Sequence, residues 1–147
     1  MKVDPITRVM ASGVFDILHT GHISYLEQAK SLGDELCVVV ASDETVRKRK
    51  HEPITPEEMR VKIVSSLKPV DKAIVGSSGG DMFSILEKIR PDIIVLGFDQ
   101  TFDEDALQEE LRSRGFDIRV ARASKSSEDL EATRAIIKKI QERSDLK

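Results

Sequence analysis

Five short apolar runs, at residues 9–14, 35–41, 72–76, 92–97 and 117–121, alternate with stretches in which apolar residues recur every three or four positions. Three of the runs are rich in Val and Ile with no polar alternation, the pattern of strands covered on both faces in a parallel sheet. Between them lie helix signals with physical causes. Ile23, Leu26, Ala29 and Leu32 share one helical face, and Gly33 stands where a C-terminal cap belongs. Thr55-Pro56-Glu57-Glu58 reads as a capping box with an N-cap threonine, and Met59, Ile63 and Leu67 follow as a buried stripe. Asp81 is placed to cap a helix that runs through Arg90 and stops at Pro91. Asp103 caps the next, whose Leu107 and Leu111 face inward and which ends at Gly115. Leu130, Thr133, Ile137 and Ile140 line one side of a last helix.

Strand alternating with helix throughout implies right-handed crossovers and an open, doubly wound parallel α/β sheet of five strands, with residues 1–147 as a single domain. Ligands of such sheets bind beyond the carboxyl ends of the strands, where the strand order reverses. The residues to read for chemistry are therefore those just past each strand: 13–22, 42–51, 76–80, 97–101 and 122–127.

The first of these segments is the most informative. Gly13-Val14-Phe15-Asp16-Ile17-Leu18-His19-Thr20-Gly21-His22 leaves the first strand and enters the first helix, and it holds two of the chain's three histidines. His22 falls in the first turn, where backbone N–H groups and the positive helix end favour an anion. Gly21 lets a phosphate approach the backbone closely. Two imidazoles beside such a site can hydrogen-bond phosphoryl oxygens and bear charge that develops during transfer. The plainer readings are a helix cap or a satisfied core histidine. A zinc site lacks a third ligand nearby.

Composition narrows the function classes. With 39% apolar and 33% charged residues and a net charge of -3, the chain reads as soluble and globular, and the acidic balance argues against broad nucleic-acid binding. A local basic cluster, Arg47, Lys48, Arg49 and Lys50, stands out against it; it is either a phosphate-binding group or a solvated helix face. His51 closes the run as a surface residue. No stretch reaches the ~18–20 apolar residues that span a bilayer, and residues 1–5 lack the apolar core of a signal peptide. The single cysteine, Cys37, lies in an apolar run and reads as a small buried hydrophobe. A disulfide within the chain is excluded, and a reducing, cytoplasmic setting is expected.

The histidine segment resembles the GxFDxxHxGH motif of the cytidylyltransferase-like nucleotidyltransferases, with Val14 in place of the usual Thr. The resemblance covers nearly the whole chain and implies a Rossmann-like HxGH nucleotidyltransferase fold. It implies that His19 and His22 bind the triphosphate and stabilise the transition state, with Val14, Phe15, Thr20 and Gly21 against the phosphates. Lys48 and Lys50 are the favoured lysines of the basic cluster, Lys50 with a catalytic role. Arg60 and the segment 67–71 occupy the place of the family's Arg-x-Val-Asp, with Lys68 for Arg. Residues 67–76 and 95–104 look closest to the archaeal FAD synthases, which transfer AMP from ATP to FMN. By that likeness Gly97 and Asp99 hold the base and ribose, although an Asp in a strand-to-helix turn is also ordinary. Arg122 with Ser126 and Ser127 stands where relatives carry an Arg followed by Ser-Thr or Ser-Ser at the start of the last helix, with Glu128-Asp129-Leu130 in place of the family's more apolar continuation; serine hydroxyls there serve equally as plain N-caps.

Asp16 inside the motif is expected to fix the turn by accepting backbone N–H bonds rather than to act in catalysis. Magnesium is expected on the substrate phosphates, with few protein ligands. Relatives imply a homodimer. Residue identities leave ATP against CTP open, and likewise the acceptor, where Phe98 or Phe102 could wall a flavin ring or belong to the core. Glycerol-3-phosphate cytidylyl transfer, and a nucleotide-binding module without catalysis, are the competing functions.

Overall fold

The computed structural model describes residues 5–49, 51–77, 82–98, 100–101, 103–125, 133–143 and 145. Strands β1 (Arg8–Gly13), β2 (Glu35–Val40), β3 (Lys72–Val75), β4 (Ile93–Leu96) and β5 (Arg119–Arg122) form one parallel sheet in the order β3-β2-β1-β4-β5. The chain winds outward from β1 on one side and resumes on the other at β4. The reversal of strand order therefore falls between β1 and β4, as in the doubly wound sheet expected.

The unbroken apolar runs follow from burial on both faces. Val9 and Ala11 of β1 and Leu36, Val38 and Val40 of β2 enter one core layer, with Leu26, Ala29 and Val64. Met10, Cys37 and Val39, the alternate positions, enter the other with Leu86, Leu107 and Leu111. Period-2 alternation between two dry faces leaves no polar position to read. Burial also pushes the Cys37 thiol pKa upward, in keeping with an inert core residue.

The helices are α1 (Thr20–Ser31), α2 (Asp43–Arg49), α3 (Glu57–Ser65), α4 (Met82–Ile89), α5 (Glu104–Ser113) and α6 (Thr133–Glu142). Asp103 caps α5 as expected, accepting from the Asp105 and Ala106 N–H groups, and the chain turns out of it at Gly115 with φ +84°. Three expectations change. The α3 N-cap is Pro56, not Thr55, because the Thr55 hydroxyl is committed to Asp16. The stripe read from Met59 and Ile63 lies outward, 49% and 43% exposed, and the face turned inward carries Arg60 and Val64. Gly33 is needed for space rather than for a left-handed cap: a Cβ there would lie 2.7 Å from a Val9 methyl and 2.8 Å from the Thr7 carbonyl. None of the α6 residues is buried, and Ile140 is half exposed. The Asp81 cap and Leu130 lie outside the described residues.

An inward-facing arginine on α3 is the less expected element of the core. Arg60 is 1% exposed. Its Nη1 donates to the Val14 carbonyl at 2.9 Å and to the Ala41 carbonyl at 2.7 Å. Its Nε donates to the Thr55 carbonyl at 2.9 Å, and Nη2 pairs with Asp43 Oδ1 at 2.6 Å. One guanidinium thereby joins the ends of β1 and β2 to the entrances of α2 and α3. Replacing Arg60 with Met keeps volume but removes every donor. Because breaking a buried pair strands its partner, Arg60→Met should lower the unfolding free energy by about 3 kcal/mol in urea titration. A loss below about 1 kcal/mol would show that packing alone suffices there.

Candidate active site

Beyond β1 the chain makes a tight turn before α1. Phe15 and Ile17 take φ of 57° and 56°, left-handed values that cost non-glycine residues about 1–3 kcal/mol each. The surroundings sustain them. The Asp16 carboxylate accepts from the Ile54 N–H at 2.7 Å, the Thr55 N–H at 3.0 Å and the Thr55 hydroxyl at 2.6 Å. Thr133 at the start of α6 donates its hydroxyl to the Asp16 carbonyl at 2.8 Å. Phe15 is 3% exposed, and a Cβ on Gly13 would lie 3.0 Å from its ring. Burial on its own would raise the Asp16 pKa. The Thr55 hydroxyl, the two N–H groups and nearby Arg60 outweigh it and hold the carboxyl below its usual range. Asp16 thus fixes the turn, as expected.

The histidines close the start of α1 reciprocally. His19 is the N-cap, in extended backbone, and its Nδ1 accepts from the Gly21 N–H at 3.1 Å. His22 returns the bond: its Nδ1 accepts from the His19 N–H at 3.2 Å. The rings lie with centroids 3.9 Å apart, and Phe15 lies 5.4 Å from His22 on its other side. An Nδ1 that accepts carries no proton, so each imidazole in this arrangement is neutral and protonated at Nε2. Burial, with His19 beside it, lowers the His22 pKa to about 4. The capping and phosphate-binding readings are therefore compatible: each ring spends one nitrogen on the backbone and carries an N–H on the other. The Gly21 N–H, by contrast, is already engaged by His19.

The structure gathers some of the other expected residues and leaves others elsewhere. Thr20 is exposed at the first position of α1. The basic cluster begins in α2, a short helix that starts where the Ser42 hydroxyl accepts from the Thr45 N–H at 3.2 Å. Lys48 is exposed there and paired with Glu44 at 3.0 Å; Arg47 pairs with Glu52 at 3.0 Å. His51 is on the surface. Gly97 is buried at the end of β4 and donates its N–H to the Gln100 side chain at 2.8 Å. Arg122 turns toward that loop: Nη1 donates to the Gly97 and Gln100 carbonyls at 2.8 Å each, and Nε pairs with Glu104 at 2.5 Å. Phe98 is 43% exposed, which removes it from the core. Lys50, Asp99, Phe102, Ser126 and Ser127 lie outside the described residues. Among the described residues no group of three or more His, Cys, Asp or Glu side chains is placed to hold a metal ion. No helix among them is long and apolar enough to cross a membrane.

Sequence reasoning missed Tyr25, Gln100 and Thr133. Tyr25 and Gln100 carry no motif signal, and Thr133 reads as one more residue on a helix face. Their hydrogen bonds join segments far apart in sequence.

Fold and site together define a doubly wound α/β domain with a pair of backbone-anchored imidazoles at its switch point. The chain belongs to the cytidylyltransferase-like family, whose model matches residues 10–146. It is 54% identical to the FAD synthase of Aciduliprofundum boonei over 141 residues, which cover 95% of this chain and 94% of that one. It is 54% identical to the FAD synthase of Archaeoglobus profundus over 137 residues, 92% and 86% of the two chains. A solved structure described as the lipopolysaccharide core biosynthesis protein of Thermoplasma volcanium superposes with a TM-score of 0.81 at 50% identity, covering 84% of this chain and all of that one.

The partly buried imidazole of His22 has a consequence for stability. The unfolded chain protonates His22 near its ordinary pKa of 6.5, whereas the folded one resists until about 4. The unfolded state therefore binds the extra proton first, and stability is full above pH 6.5 and declines as pH falls toward 4. The decline should amount to ~3 kcal/mol at most, measured by urea unfolding across that window beside an NMR titration of the His22 ring. A midpoint near 6.5 would contradict the burial described.

Proposed function

We propose that the protein is a FAD synthase that transfers AMP from ATP to FMN and releases pyrophosphate. The carrying observation is the reciprocal imidazole cap at the start of α1, set beside the reversal of strand order. Membership of the family and relatives of the same length support the reaction class, and the likeness to FAD synthases supports AMP transfer to a flavin. The whole of residues 1–147 is taken as one catalytic unit, acting in a cytoplasmic setting and paired as a homodimer.

The chemistry needs no protein nucleophile, because the FMN phosphate is ionised at neutral pH. One of its oxygens attacks the α-phosphorus of ATP in line; the bond to the β-phosphate bridging oxygen breaks, and pyrophosphate leaves with the electron pair. Catalysis then rests on alignment and on donors fixed before charge develops. His19 and His22 present Nε2–H groups to phosphoryl oxygens. Because both are neutral, they stabilise by hydrogen bonding rather than by full charge. Cationic help falls to the α2 cluster, with Lys48 and Lys50 favoured. The ion pair that occupies Lys48 is exposed, and such pairs are weak enough to yield to a triphosphate. Magnesium fits as an ion carried in on the triphosphate, where it would neutralise phosphate charge. Val14, Phe15, Thr20 and Gly21 line the phosphate turn, and Gly97 with Asp99 the nucleoside. Phe98, exposed past β4, is suited to cover a flat acceptor ring. Arg122 supports this loop through carbonyls. Ser126 and Ser127 are retained as hydroxyl partners of phosphate.

The test pairs ATP or CTP with FMN or glycerol 3-phosphate in the presence of magnesium and identifies the product by mass. FAD from ATP and FMN is expected, and a CDP-linked product would favour cytidylyl transfer instead. His19→Ala and His22→Ala should each reduce turnover by ~10²–10³-fold, the scale of losing one preorganised donor. Calorimetric binding of ATP without pyrophosphate release from any acceptor would identify a binding module.

A further inference from the structure

The direct pairing of β1 with β4 runs from Val9–Ile93 to Ala11–Val95 and stops there. Both strands nevertheless continue, β1 to Gly13 and β4 to Leu96. One more step of the same register would set Ser12 opposite Leu96. In a regular parallel ladder the Ser12 N–H then reaches the Val95 carbonyl, and the Gly97 N–H reaches the Ser12 carbonyl. The second of these rungs, from the Gly97 N–H to the Ser12 carbonyl, is not made as a backbone bond, and a side chain stands at both. The Tyr25 hydroxyl accepts from the Ser12 N–H at 3.1 Å and donates to the Val95 carbonyl at 2.6 Å. The Gln100 carboxamide accepts from the Gly97 N–H at 2.8 Å and donates to the Ser12 carbonyl at 3.1 Å.

The two insertions differ in size. A hydroxyl adds one heavy atom to its rung; a carboxamide adds the three atoms O, C and N. Backbone pairing thus gives way to side-chain bridging toward the carboxyl ends, with donor and acceptor satisfied at each step. Both inserted groups are themselves anchored. Tyr25 stands on α1, three residues beyond His22, and Arg122 grips the carbonyls of Gly97 and Gln100 from the far side.

We propose that Tyr25 and Gln100 are positioning residues, a graded polar wedge that keeps β1 and β4 from zipping together and sets the width of the crevice that admits the nucleotide. They act through the backbone of Ser12 and Gly97 rather than by touching the reacting atoms. The inference rests on the proposed nucleotide site, yet the opening of the rungs is a property of the ligand-free protein and is tested separately.

Tyr25→Phe and Gln100→Ala are the variants. In Gln100→Ala the Gly97 N–H falls back onto the Ser12 carbonyl, so its hydrogen exchange in ligand-free protein is no faster than in the wild type. Faster exchange would mean that the rung stays open without the wedge, and would overturn the proposal. With nucleotide, each variant should raise KM for ATP, and Kd for a non-hydrolysable ATP analogue, by roughly tenfold, the cost of about one hydrogen bond. The kcat at saturating ATP should change far less. A lowered melting temperature with KM and Kd unmoved would mark both residues as merely structural and overturn the wedge. If the wild-type protein binds no triphosphate, the nucleotide reading fails, and the exchange measurement still decides whether the wedge exists.

Discussion

A guanidinium sealed from water at the carboxyl ends of β1 and β2 is the interaction on which the site depends. Taking a cation out of water costs several kcal/mol, and the cost is offset only where every donor finds an acceptor. Arg60 comes close to that condition, four of its five N–H donors reaching three carbonyls and the Asp43 carboxylate. Those carbonyls are not arbitrary: they belong to Val14, Ala41 and Thr55, the points where the chain leaves β1, leaves β2 and prepares to enter α3. Backbone carbonyls at strand ends ordinarily face water. Here they are gathered around one charge, and that convergence fixes how the turn after β1 sits against the start of α2. The left-handed Phe15 and Ile17 persist because Arg60 on one side and Asp16 on the other leave the turn no cheaper path.

The same arrangement explains what could be read in advance. Strands were legible because both faces are dry, so Val38, Val39 and Val40 are apolar wherever they point. The crevice was legible because alternating strand and helix impose a reversal of order somewhere, and the paired histidines mark the first strand's exit. Arg60 was not legible as a core residue, because arginine in a helix sequence ordinarily means solvent; only its acceptors, scattered over residues 14 to 55, make burial tolerable. Thr55 misled for the same reason. A threonine ahead of Pro-Glu-Glu has the form of a cap, but the carboxylate of Asp16, distant in sequence, competes for its hydroxyl and wins. Helix α2 was hidden in a charge run too short to show an apolar stripe, with Val46 as its single buried residue.

Electrostatics divides the site into fixed and adjustable parts. The imidazoles are committed, with one nitrogen held by a backbone N–H and, for His22, a proton affinity lowered by burial. Such donors need no reorganisation as charge builds on a phosphate, which is where preorganised dipoles are most effective. The cations are of the other kind. Arg47 and Lys48 are exposed and paired with Glu52 and Glu44 on the surface, contacts that solvent screens. They can leave those partners for a polyanion at little cost. A net charge of -3 is thus no obstacle to handling nucleotides, because three adjacent cations, Arg47, Lys48 and Arg49, end α2, which leaves the sheet directly after β2.

An open crevice between two parallel strands has to be built, since the default of such strands is to continue pairing. Each rung lost would leave an N–H and a carbonyl to be satisfied, at about 1–3 kcal/mol per stranded group. Widening the gap with water alone would leave its shape to fluctuate. A hydroxyl from the helix that carries the histidines and a carboxamide from the loop after β4 satisfy those groups at fixed spacing. The width of the opening is thereby tied to the position of α1, and so to the imidazoles at its start. Movement of that helix would carry the imidazoles and the Tyr25 hydroxyl together, while the Gln100 carboxamide stays with the loop after β4.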